Sequence, residues 1–68
     1  MKSYSGKKVC RLLEDAGWQL RRVKGSHHIY GKSGERNIIT VPVHGNHSLK
    51  PGLQRAILKA AHIEIAES

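Results

Sequence analysis

The sequence has one cysteine, Cys10, so it cannot close an internal disulfide, and a reducing compartment suits it. Acidic residues are also scarce, five against twelve lysines and arginines. No apolar run approaches the ~20 residues that cross a bilayer. No stretch pairs a strongly basic helix face with bulky interfacial aromatics, as membrane-surface helices do. The N-terminus lacks the apolar core of a secretory signal, and the expected location is cytoplasmic. Sixty-eight residues make one domain, 1–68, which buries only about 60% of the surface its unfolded chain exposes. Little material remains for an elaborate lidded pocket, so function falls to a surface or a shallow cleft.

What is plentiful is positive charge. The formal net charge is +7, and it is grouped: Lys7, Lys8 and Arg11 are followed by Arg21, Arg22 and Lys24, with only Glu14 and Asp15 between them. Such a field attracts a polyanion and speeds encounter with it. Nucleic acid is the expected partner, with an acidic protein as the other candidate.

The pattern predicts five elements. A helix over about 5–16 is marked by Val9, Leu12, Leu13 and Ala16 on one stripe, with Ser5 or Ser3 as N-cap and Gly17 as a left-handed end. Strands are predicted at about 18–24, 26–32 and 37–43, with a turn at Gly25 and a hairpin loop around Gly34. A second helix spans about 49–61, with Ser48 as N-cap, Pro51 in the first turn and Leu49, Leu53, Ile57 and Ala60 as its apolar stripe. The expected fold class is α+β in the order α-β-β-β-α. Its three-stranded antiparallel sheet carries both helices on one face, the arrangement of double-stranded-RNA-binding domains. That topology alone assigns no activity.

Five histidines are many for this length, and two are adjacent in "KGSHHIYG", residues 24–31. Strand alternation sends His27 and Ile29 to one face and His28 and Tyr30 to the other. If Ile29 is core, His27 lies on the helix side; parity leaves the reverse equally open. A metal site is not expected, since no carboxylate or cysteine stands at ligand spacing beside the histidines. Histidine can take a proton from a ribose 2′-hydroxyl or give one to a leaving 5′-oxygen. Lys24 and Lys50 are candidates to stabilise the charged phosphorane, so such cleavage needs no metal or other cofactor.

The run "SGKKVCRLLEDAGWQLRRVKGSHHIY" resembles the opening of the HicA (YcfA-like) mRNA interferase toxins. The matching residues are Ser5-Gly6-Lys7, Leu12-Leu13, Ala16-Gly17-Trp18 and Gly25-Ser26-His27. Val41-Pro42 with His44, Lys50-Pro51-Gly52 and Ile57-Leu58 extend the resemblance over roughly residues 3–63. It implies the double-stranded-RNA-binding-like fold and ribosome-independent cleavage of mRNA. It also implies an essential histidine at His27, flanked by Lys24, Gly25 and Ser26, and a HicB-type antitoxin as protein partner. His44 and Tyr30 are the candidates for the second proton-transferring group. The remaining alternative is a non-catalytic RNA-binding module of the same fold. Two departures from the family pattern are Leu53-Gln54 after Gly52, where threonine and leucine are common, and His62 where a glycine commonly follows the second helix. A histidine in that left-handed position costs up to ~1 kcal/mol or shifts the helix end.

Overall fold

A computed structural model describes residues 3–64 of the chain. The domain expected over 1–68 includes residues 1, 2 and 65–68, which lie outside the described residues. The elements run α1 (Gly6–Asp15), β1 (Gln19–Lys24), β2 (His27–Gly31), β3 (Ile39–Pro42) and α2 (Pro51–Ala60). The strands form one antiparallel sheet in the order β1-β2-β3. The α-β-β-β-α order and α+β class are therefore those the sequence predicts.

Ser5 caps α1, its hydroxyl accepting the Lys8 N–H at 3.2 Å. Val9 and Leu13 are fully buried, joined by Cys10, while Leu12 is only half-buried. Tyr30, Ile39 and Val41 belong to one sheet face, and with these α1 residues, Trp18, Leu49, Ile57 and Ala61 they form a single core cluster. Both helices therefore cover the same face. Tyr30 is 1% exposed and Ile29 only half-buried, which settles the strand parity: His28 and Tyr30 face the helices, and His27 faces the open side.

The second helix differs from expectation in two ways. Its N-cap is Lys50, with no side-chain cap. Ser48 instead forms an isolated antiparallel bridge with Ser5, next to which the Leu49 N–H donates to the Tyr4 carbonyl at 2.9 Å. That bridge stitches the approach to α2 onto the approach to α1, and it takes Ser48 away from the helix end. The buried face is Gln54, Ile57, Leu58 and Ala61 rather than Leu53 and Ala60, which are exposed. A glutamine is admitted because its Oε1 accepts the Tyr4 N–H at 2.8 Å, so the buried amide is not left unpaired.

His62 follows the helix with φ 59°, the left-handed cap position. The Ile63 N–H reaches the Leu58 carbonyl at 2.9 Å and the His62 N–H reaches Lys59 at 3.1 Å, closing the end as glycine would. No helix among the described residues is long and apolar enough to cross a membrane.

Candidate active site

The β1–β2 connection is a two-residue turn, Gly25-Ser26, closed by the facing pair Lys24 and His27. Gly25 has φ 60°, while Ser26 keeps a negative φ. This is a type II′ hairpin turn, whose first central position suits glycine and whose twist matches the strands. The Ser26 carbonyl then accepts the Val43 N–H at 2.7 Å, so the turn is anchored to the exit of β3. His27 is thereby held at the end of the sheet between Lys24 and Pro42, its partners on either side. Its imidazole is exposed.

The register next places Arg22, Ile29 and Thr40 in one row across the open face, beside the row Lys24, His27 and Pro42. The pairing slips between Leu20 and Arg22, a β-bulge centred on Arg21. One extra residue lets Arg21 and Arg22 lie on the same face. The Arg21 side chain crosses Gly31, its Nε only 2.8 Å from where a Cβ would stand. Leu20 and Val23, three apart, share the opposite face. The bulge thus gathers Arg21, Arg22 and Lys24 on the side that carries His27.

The other candidate residues lie elsewhere. Lys7 and Arg11 line a cleft between α1 and the helix-facing side of β1 and β2, together with His28 and Tyr30. Lys8 is exposed on α1, and Lys50 belongs to the helix layer as the N-cap of α2. The Tyr30 hydroxyl donates to Glu14 Oε2 at 2.7 Å. Burial, with the Cys10 thiol and Glu14 beside it, pushes the phenol well above its ordinary value. Tyr30 is therefore inward, proton-retaining and across the sheet from His27. His44 is exposed two residues beyond Pro42, at the same end of the sheet as His27. Among the described residues no three His, Cys, Asp or Glu side chains are gathered as a metal-binding set.

Sequence reading did not find the bulge or the role of Glu14. The bulge did leave a signal: two adjacent arginines between apolar residues break strict alternation. The Glu14–Tyr30 link is long-range and leaves none.

A family model described as the HicA toxin of bacterial toxin-antitoxin matches residues 6–63. No curated protein matches the chain.

Proposed function

The chain belongs to the HicA toxin family of bacterial toxin–antitoxin systems, and we propose that it is an endoribonuclease that cleaves mRNA without the ribosome or a metal ion and so inhibits translation. Membership implies an antitoxin partner; a HicB-type protein that covers the His27 face is the form proposed here, with both acting in the cytoplasm.

One observation carries this reading: an exposed histidine, fixed between Lys24 and Pro42 by a tight turn, on a face where a bulge concentrates Arg21 and Arg22. The cations draw the phosphate backbone across the open face. His27 takes the proton from a ribose 2′-hydroxyl, and the 2′-oxygen attacks the adjacent phosphorus. The 5′-oxygen leaves, and Lys24 stabilises the charge that builds on the phosphoryl oxygens. Lys24 has this role ahead of Lys50 because it stands on the same face as His27. His44 or a water protonates the leaving oxygen.

The products are then a 2′,3′-cyclic phosphate and a 5′-hydroxyl. End-group analysis of cleaved RNA tests the route. A 5′-phosphate at the new ends would make water the nucleophile and remove the proposed role of His27.

A further inference from the structure

His28 does not share the place of His27. It faces a cleft of about 560 Å³ between α1 and the sheet, within the range of ~300–1,000 Å³ typical of small-ligand sites. The α1 residues that line it are ordered by charge. Lys7 and Arg11 come first, and Glu14 and Asp15 follow at spacings that keep all four on one side of the helix. At 1.5 Å per residue the midpoints of the cationic and acidic pairs stand roughly 8 Å apart along the axis. Leu20, 45% exposed, forms an apolar wall on β1, and the imidazole of His28 lies along the lining between strand and helix.

We propose that this cleft binds a single nucleotide of the RNA, its phosphate at Lys7 and Arg11 and its base at Glu14 and Asp15. An inorganic anion has no use for the acidic end, and an acidic peptide is repelled by it. A nucleotide with an amino-bearing base matches both ends: it carries an anion at one end and N–H donors at the other, joined by a flat body that covers Leu20. Glu14 Oε2 already accepts from Tyr30, which fixes the carboxylate and leaves acceptor capacity for the base.

Position connects the cleft to His27. The start of α1 presses on the end of β3, where a Cβ on Gly6 would meet the Pro42 carbonyl, and Pro42 is the strand partner of His27. The cationic end of the cleft is therefore at the sheet end that carries the proposed cleavage site. An RNA strand passing the Gly25-Ser26 turn reaches both. The open face offers cations to the backbone, which carry no sequence information, whereas the cleft offers acceptors to a base edge. Resting on the ribonuclease reading for the nature of its ligand, the cleft is a specificity subsite.

Cytidine and uridine 5′-monophosphates make the test, because cytosine offers the two N–H donors of an amino group where uracil offers a carbonyl and a single ring N–H. Each is titrated into the labelled full chain while backbone amide shifts are followed, with inorganic phosphate as a third ligand. The expected result is a saturable perturbation of Leu20, His28 and Val43 by the cytidine nucleotide. The uridine nucleotide is expected to bind roughly tenfold more weakly, as loss of one hydrogen bond to a carboxylate allows. Arg11→Glu, at an exposed position, reverses the charge at the phosphate end of the cleft and is expected to abolish these shifts while the rest of the spectrum stays folded. His27→Ala is expected to leave them unchanged.

Shifts confined to Lys24, His27 and Thr40 would overturn the subsite, as would equal binding of the two nucleotides or full reproduction of the effect by phosphate. Cleavage is read separately. Cleft binding without any cleavage would remove the ribonuclease reading and keep the cleft; cleavage without cleft binding would do the reverse.

Discussion

The hydroxyl of Tyr30 and the carboxylate of Glu14, 2.7 Å apart, tie the central strand to the last turns of α1. The tyrosine ring is buried, but Glu14 is exposed, so the bond is worth less than a fully enclosed charged pair. Tyr30→Phe is expected to cost about 1 kcal/mol, read as a lower urea midpoint at constant slope. Because Tyr30 faces away from His27, cleavage at saturating RNA by this variant is expected to stay near the wild-type rate, with the effect of releasing Glu14 in the cleft confined to KM. A large fall in rate with the fold intact would return Tyr30 to the reaction.

The same neighbourhood sets an alkaline limit on stability. Burial holds the Cys10 thiol above its ordinary 9.0, and burial with its two hydrogen-bond neighbours holds the Tyr30 phenol above its ordinary 10.0. The unfolded chain loses these protons first as pH rises, so their contribution is complete below pH 9 and declines above it. Thermal midpoints are expected to fall from about pH 9 upward. The stability gap between wild type and Tyr30→Phe is expected to narrow above pH 10, since phenylalanine has no proton to lose in either state.

Gly6 begins α1, where alanine normally strengthens a helix. Here a Cβ would run into the Pro42 carbonyl, with the Val43 Cα 3.1 Å away. Both obstacles are backbone, so relief requires the helix to move off the sheet. Gly6→Ala is expected to destabilise by about 1–3 kcal/mol, the usual range for overpacking, against its helix-propensity gain. Chemical denaturation measures it; a neutral or stabilising result would show that α1 is free to shift.

Most of the fold was legible because its signals are local. Ser5 before the helix, Gly17 after it, the β-branched run of β3 and the Gly25 turn each act within a few residues. The face of α2 was not legible, because Gln54 is buried through a bond to the Tyr4 backbone fifty residues away. Nothing near Gln54 announces that partner. His62 was legible as a departure, and the chain accepts the left-handed conformation rather than moving the helix end. At the candidate site, Gly25-Ser26-His27 was visible as a string. The side of the sheet was not, since alternation fixes which residues share a face but not which face the helices take. Grouping Lys7, Arg11 and Lys50 with Arg21, Arg22 and Lys24 was reasonable from charge alone, and the sheet separates them.

Lys24 faces His27 across the hairpin. Lys24→Gln removes one cation from the proposed backbone track while leaving an exposed strand position filled. Its binding to single-stranded RNA is expected to show a log K against log salt slope smaller in magnitude by about 0.7, the value for one phosphate contact. An unchanged slope would place the RNA backbone elsewhere.

The most direct measurement compares wild type and His27→Ala on an end-labelled mRNA, with excess chelator and no ribosomes. His27 is exposed, so its truncation is expected to change stability by no more than about 0.5 kcal/mol, which a denaturation curve verifies alongside. Cleavage by the wild type and none by the folded variant is the expected result. Equal cleavage by both proteins, or equal binding with cleavage by neither, would contradict a His27-dependent ribonuclease.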